Sequence, residues 1–254
     1  MKTISVITVV YNDKINIEKT IQSVLELKSS NIKIEYIVLD GNSSDGTWSL
    51  IQKYSSRIAY CCSEPDKGIY NAMNKAIDYI TGEWCIFINS GDRIVSDALK
   101  VFDADLDGDI GVLYGDVFLS FSLGTVIQKA TMTSDNNLPS FCHQAAFIRS
   151  DLMRKWKYDE KYRICADYDF FKKVHDCGFS FKYIDYPVAY YDMDGISANN
   201  LLLFCEERRA IGDYISFFSY MKMWIRSKFQ KMFPQLYYSL FYYNRRLKIN
   251  RSKK

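Results

Sequence analysis

An acid, a base, a glycine and two amides stand close together in Asp66-Lys67-Gly68-Ile69-Tyr70-Asn71-Ala72-Met73-Asn74, at the mouth of an expected helix. An apolar run follows, Trp84-Cys85-Ile86-Phe87-Ile88, and ends in Asn89-Ser90-Gly91-Asp92. A polar loop, a helix and a buried strand ending in a carboxylate are the parts from which an α/β protein builds a site for a phosphorylated ligand. Such ligands sit beyond the carboxyl ends of the strands. Further along, His143-Gln144 precedes an apolar run, and Asp167 opens a helical pattern that also contains Asp169.

The elements that must position these residues are legible from periodicity. Ile4–Val10 is an almost continuous apolar run, as expected of a strand covered on both faces. Ile17, Ile21, Val24 and Leu25 then recur at helical spacing. A second strand, Ile34–Leu39, ends at Asp40 and leads into the turn cluster 41–46. A short helix over 47–54, a strand over 58–62, a helix over 69–80 and a strand over 84–88 complete a β-α-β-α-β-α-β alternation. That order predicts an α/β fold, a mostly parallel sheet with helices on both faces. The second half is less regular. Strands are expected over 112–119 and 125–130, antiparallel about a turn, then over 141–148 and 179–184. A helix is expected over 167–177 and a polar loop over 135–140.

Charge is unevenly spread. Residues 214–254 hold ten Lys and Arg and no Asp or Glu, against a net charge of about −7 in the first 213. The same tail is crowded with aromatics, from Phe217 to Tyr243, and is broken by Pro234. Aromatic side chains mixed with Lys and Arg suit a helix lying on an anionic membrane surface, the alternative being a helix docked on the core. No apolar run is long enough to span a bilayer. Seven scattered cysteines without a C-x-x-C pair argue against a zinc site and suggest free thiols. With no leader pattern at the N-terminus, the expectation is a cytoplasmic protein, peripheral on the inner face of the membrane.

Five short segments, in order, resemble the family 2 glycosyltransferases of the GT-A fold. They are Ser5-Val6-Ile7-Thr8-Val9-Val10-Tyr11-Asn12, Val38-Leu39-Asp40-Gly41-Asn42-Ser43-Ser44-Asp45-Gly46-Thr47, Glu64-Pro65-Asp66-Lys67-Gly68-Ile69-Tyr70, Ile88-Asn89-Ser90-Gly91-Asp92 and Ala166-Asp167-Tyr168-Asp169-Phe170. The resemblance runs from Ile4 to about Ser197. It implies a Rossmann-like GT-A domain over 1–199, with a donor half to about 95 and an acceptor half beyond it, followed by a helical basic-aromatic extension over 200–254. It also implies an inverting transfer of one hexose or N-acetylhexosamine from a nucleotide-sugar, with UDP as the expected nucleotide. The expected acceptor is a hydroxyl of an oligosaccharide or lipid-diphosphate-linked glycan in polysaccharide or O-antigen assembly. No nucleic-acid partner is expected.

The resemblance also distributes roles. Thr8, Tyr11, Asn12, Asp40 and Ser43 would hold the nucleotide. Asp40, at a strand end, can accept from a base N–H or a ribose hydroxyl. Asp66, Lys67, Gly68, Asn74, Asn89, Gly91 and His143 would line the donor sugar and phosphates. Asp92 would bind Mn²⁺ or Mg²⁺, which neutralises the departing diphosphate. The family's D-x-D pattern is reduced here to Asn89 and Gly91 before the single carboxylate of Asp92. Asp167 would be the general base, although the acid usually preceding it is Ala166 here. Asp194-Gly195-Ile196-Ser197 resembles a closing loop, with Asp194 a further metal or phosphate contact. Two other classes fit less well. A nucleotidyltransferase would want a Gly- and Arg-rich phosphate loop where Val9-Val10-Tyr11-Asn12 stands, and a non-catalytic sensor would not need both Asp92 and Asp167. A processive synthase would need spanning segments and a Q-x-x-R-W motif, and neither is found.

Overall fold

The structure, a computed structural model, describes residues 1–102, 109–131, 138–193, 201–212 and 216–252. The expected loop over 135–140 is therefore described only in part. The Asp194–Ser197 motif and the boundary expected at 199/200 lie outside the described residues.

The first half follows the alternating pattern. Strand β1 (Lys2–Val10) pairs in parallel with β2 (Ile32–Asp40) and with β4 (Trp84–Phe87), and β2 pairs in parallel with β3 (Tyr60–Ser63). Residues 4–10 of β1 are all buried, because both faces of the strand are covered. The alternation of side chains sorts its residues. Ile4 and Val6 pack with Ile17, Ile21 and Val24 of α1 (Ile17–Leu25), and with Ile51 of α2 (Thr47–Gln52). Ile7 and Val9 pack on the other side with Met73, Ala76 and Ile77 of α3 (Ile69–Ile77).

The second half extends the same sheet with mixed pairing. Strand β5 (Arg93–Ile94) follows β4 closely, and β6 (Ile110–Phe121) turns back as a hairpin with β7 (Gly124–Gln128). Strand β8 (Ala146–Arg149) lies antiparallel between β4 and β6, and β9 (Ser180–Asp192) runs parallel to β6 and antiparallel to β5. The order across the sheet is β3-β2-β1-β4-β8-β6-β9-β5, with β7 attached to β6. Helices α4 (Ser150–Trp156) and α5 (Ala166–Asp176) join α3 on its face through Leu152, Met153, Phe170 and Val174.

Two departures from the expected elements shape the site. The strand expected over 141–148 begins only at Ala146, because His143–Ala145 curl into a 3₁₀ turn. The turn sends both His143 and Gln144 into the same cavity, where strand alternation would have separated them. Strand β9 does not stop at Ile184 but continues past Pro187 to Asp192, with pairing irregularities opposite Asp116 that accommodate the proline.

Three helices follow: α6 (Leu201–Ala210), α7 (Phe217–Met232) and α8 (Pro234–Ser252). Ser216 caps α7 by accepting from the Ser219 amide, and Pro234 opens α8 at a position where its missing N–H costs nothing. Helix α8 docks on the β6–β7 hairpin through Phe241 and Tyr242, whose rings lie 6.0 and 5.7 Å from that of Phe121. The tail is thus partly a packed element. Helix α7 still exposes Phe217, Phe218, Ile225 and Met232 beside Lys222, Lys228 and Lys231. Among the described residues no helix is long and apolar enough to cross a membrane.

Candidate active site

The sheet order reverses at β1, which has β2 on one side and β4 on the other. A crevice opens beyond the carboxyl ends of strands at such a switch point. Here it is a cavity of about 560 Å³, in the range of small-molecule sites. Its wall includes Tyr11, Asn12, Asp66, Gly68, Asn89, Gly91, Asp92, His143 and Asp167 from the sequence expectations.

One end is built from the loops after β1, β2 and β3. Asn12 adopts a left-handed backbone (φ +47), which Asn tolerates better than most residues. Its amide donates to Ser43 Oγ (2.7 Å) and its Oδ1 accepts from the Ser44 amide (2.9 Å), so the two loops hold each other. Asp40 is buried. Its Oδ2 accepts from the Ser43 amide (2.9 Å) and from Ser63 Oγ (2.5 Å), while Oδ1 has no partner in the protein. An orphaned buried acceptor is costly, but Asp40 is not among the residues that line the cavity. Tyr11 stands exposed at the rim. Gly41 has no room for a side chain: a Cβ there would lie 2.4 Å from Asp66 Oδ2 and 3.3 Å from the Tyr11 ring. Asp66 is fixed by the Gly68 amide, which donates to its Oδ1 (2.8 Å).

Other expected residues stand off the cavity wall. Thr8 is fully buried, donating to the Ile88 carbonyl (2.6 Å) and contacting Tyr36 Oη (3.0 Å), so it braces β1 against the end of β4. Asn74 donates to the Tyr158 carbonyl (2.8 Å) and accepts from its amide (2.8 Å), tying α3 to the segment before α5. Lys67 is exposed, and Ser43 acts through the Asn12 amide.

The middle of the cavity carries Asp92. Its Oδ2 accepts from Gln144 Nε2 (3.1 Å) and its Oδ1 from the Asp192 amide (2.9 Å). Burial raises its pKa to about 7, against the opposing pull of those hydrogen bonds and of His143. Asp192, delivered by the extended β9, adds a second carboxylate to the same wall. Gly91 (φ +96) approaches it, with a hypothetical Cβ 3.7 Å from the Asp192 carboxylate. Asn89 Oδ1 is buried without a partner. Among the described residues no three His, Cys, Asp or Glu side chains gather as a closed metal site. Two carboxylates and an orphaned amide oxygen nevertheless suit Mg²⁺ or Mn²⁺. These hard cations take oxygen ligands and complete their shells with phosphate oxygens and water. The residues present fit such an ion.

The far wall carries Asp167, at the start of α5. Its Oδ1 accepts from the Tyr168 amide (2.8 Å) and from Tyr70 Oη (3.1 Å), and its Oδ2 lies 3.1 Å from His143 Nδ1. Burial pushes its pKa up, but the hydrogen bonds from His143, Tyr168 and Tyr70 outweigh it and hold the carboxyl below its ordinary value. His143, expected near phosphate, is thus engaged with Asp167, and its Nε2 is buried without a protein partner. Asp169 pairs instead with Lys173 Nζ (2.6 Å), off the wall, and His175 contacts its neighbour Asp176 (3.3 Å). Sequence reasoning missed Asp192, Gln144, Tyr70 and Arg163 as wall residues. The aromatic at 70, inside the motif that drew attention first, was the available signal for Tyr70.

Known proteins are similar to this chain in sequence and fold. Residues 5–179 match the model of glycosyl transferase family 2. An uncharacterized glycosyltransferase of Mycobacterium tuberculosis is 31% identical over 183 residues, covering 66% of this chain and 67% of the relative. S. aureus TarS, solved with UDP, superposes with a TM-score of 0.65 at 18% identity, over 91% of this chain and 71% of that one. A mannosyltransferase from Pyrobaculum calidifontis, solved with GDP-Man and Mn²⁺, gives 0.65 at 16% identity, over 87% and 67%. The solved structures share the GT-A fold. With strand-end carboxylates at a switch-point cavity and a family match over most of its length, the chain belongs to glycosyl transferase family 2.

Proposed function

We propose that the protein transfers a single hexose or N-acetylhexosamine, with inversion, from a nucleotide-sugar to a glycan hydroxyl, UDP being the favoured nucleotide. The observation that carries this reading is the placement of Asp66, Asp92 and Asp167 on the wall of one cavity. Asp40 would accept from the base or ribose, with Tyr11 over it and Asp66 alongside. Asn89, Asp92 and Asp192 would hold the divalent cation. That ion, when bound, neutralises the charge growing on the leaving diphosphate. Asp167, ionised and fixed by three donors, would take the proton of the acceptor hydroxyl as its oxygen bonds to the anomeric carbon. The carbon–phosphate-oxygen bond breaks on the opposite face, and its electron pair leaves with the nucleoside diphosphate. TarS bound to UDP and the mannosyltransferase bound to GDP-Man and Mn²⁺ support a nucleotide and a divalent ion in this fold. NMR of the product tests the stereochemistry. The anomeric configuration should be opposite to the donor's, and retention would overturn the single-displacement reading.

Gly41→Ala should move Asp66 and lower UDP affinity by tenfold or more, about 1.4 kcal/mol, with little change in Tm. Unchanged affinity by calorimetry would remove Asp66 from the donor wall.

The acceptor we favour is a lipid-diphosphate-linked glycan at the inner membrane face, because α7 presents apolar and cationic side chains together. Reversing Lys222, Lys228 and Lys231 to Glu should weaken co-sedimentation with anionic vesicles by roughly 100-fold or more at low salt, at about 1 kcal/mol per Lys. Arg245 and Arg246 are poorer targets. Burial lowers the Arg245 pKa and its guanidinium lies 5.2 Å from the Phe241 ring, while Arg246 donates to Tyr242 Oη (3.4 Å), so both are engaged with the aromatic side chains of their own helix. Wild-type partitioning by the triple Lys variant would refute an electrostatic role for α7.

A further inference from the structure

We propose that Glu207, on the C-terminal helix α6, is a positioning residue that holds the catalytic wall of the cavity in place; the proposal rests on the transfer reading above. Glu207 is buried. Its Oε1 accepts from the Arg163 amide (2.6 Å), and its Oε2 accepts from the amides of Ile164 and Cys165 (2.8 Å each). These three successive N–H groups immediately precede α5. Cys165, at the helix start, provides no side-chain cap; a carboxylate more than 40 residues away in sequence holds the amides of the segment that enters the helix. Hydrogen bonds to a carboxylate are stronger than neutral ones, and a negative charge at a helix start is favoured by the helix dipole.

What this corner carries makes the clamp functional. Arg163 is the one Lys or Arg on the cavity wall among the described residues. The Ile164 carbonyl accepts from Tyr70 Oη (2.6 Å), and the same hydroxyl reaches Asp167 Oδ1 (3.1 Å). Asp167 itself lies two residues beyond Cys165. Glu207 therefore sets the backbone from which Arg163 and Asp167 project and the carbonyl that orients Tyr70. Its neighbours extend the connection. The Arg208 guanidinium lies 3.4 Å from the centre of the Tyr168 ring, next to Asp167. Arg209 lies 4.6 Å from the Tyr220 ring of α7, and Cys205 Sγ is 3.1 Å from Met223 Sδ of α7. Helix α6 thus joins α7, through the half-buried Tyr220 and Met223, to the catalytic wall.

Glu207→Gln keeps the volume but points an NH₂ group at an amide N–H; Glu207→Asp keeps the charge on a shorter arm. Hydrogen–deuterium exchange over 162–168, UDP affinity with Mn²⁺ by calorimetry, and kcat would be measured on the full chain. In Glu207→Gln, exchange at 163–165 should accelerate by roughly 10- to 100-fold as the clamp opens locally. Turnover should fall about 100-fold, the scale of a misplaced catalytic group. UDP affinity should stay within about twofold, since the nucleotide end of the cavity is built from other loops; a shift of that size is well under the 1.4 kcal/mol of a tenfold change. Glu207→Asp should recover part of both losses, and decides by the same readouts if Glu207→Gln does not fold. Unchanged exchange, or unchanged kcat despite faster exchange, overturns the proposal. So does a parallel loss of UDP affinity and kcat, the mark of general destabilisation. A wild-type protein that turns over no donor would refute the transfer reading instead, and the exchange data would still decide whether the clamp exists.

Discussion

Asp167→Asn should bind nucleotide as the wild type does and turn over about 10²–10⁴-fold more slowly, the usual scale for loss of a general base. The substitution is nearly isosteric, so the wall keeps its shape. What changes is the chemistry: an amide cannot take a proton, and its NH₂ opposes one of the donors now held by the carboxylate. Binding should be spared because Asp40, Tyr11 and Asp66 stand on other loops. The folded pKa of Asp167 lies below 3.8, so the group is ionised throughout the neutral range. The sign of its stability contribution follows. A carboxyl with a depressed folded pKa stabilises the fold above its unfolded pKa, and that stabilisation is lost as pH falls through the folded value. The variant should therefore be destabilised near pH 7 and approach wild type in acid. If Asp169→Asn is the inactive variant and Asp167→Asn remains active, the assignment within this pair is wrong.

Asp92→Ala should lose metal-dependent UDP affinity and nearly all turnover. Asp92 and Asp192 meet in the middle of the cavity, and Asp92 is the carboxylate contributed by the strand-end motif. Its titration runs opposite to that of Asp167. The folded pKa of about 7 exceeds the ordinary 3.8, so the folded state holds a proton that the unfolded state has released. Through this group the metal-free protein loses stability as pH rises from about 4 to about 7 and changes little beyond. A cation bound beside the ionised carboxylate offsets that cost, so Mn²⁺ should raise Tm more at pH 8 than at pH 6 in wild type, and at neither pH in Asp92→Ala. An Asp92→Ala variant with full Mn²⁺-dependent UDP affinity would contradict the placement.

The first half of the sheet was legible because its rules are local. Continuous apolar runs mark strands covered on both faces, and the polar residues that end them fall at the mouth of the cavity. Asp92 is of this kind; Asp66 follows the end of β3 by three residues, and Asp40 ends β2 without lining the cavity. Asp167 was found through its motif at a helix start. What was not legible depends on tertiary pairing. Asp192 meets Asp92 across 100 residues of sequence, and only because β9 runs on past a proline that in sequence argues for a strand end. Gln144 reaches Asp92 because a 3₁₀ turn interrupts a pattern that reads as strand. Helix α4 has seven residues and no side-chain cap, too short for periodicity to declare it. In the tail, aromatics recur on every side of the helices, so nothing in their spacing separates Phe241 and Tyr242, which dock, from Phe217 and Phe218, which do not. Glu207 carried no signal at all, since its partners are backbone amides.

If this cavity cleaves a nucleotide-sugar with the help of a divalent ion, release of the nucleotide reports it directly. Nucleoside diphosphate release should be measured from UDP-, GDP- and dTDP-sugars, with Mn²⁺ and with chelator, by wild type and Asp92→Ala. Release from one nucleotide class, UDP first, should require the metal and disappear in the variant. A folded wild-type protein that releases no nucleotide from any of them, or releases it equally well in chelator and from Asp92→Ala, would contradict it.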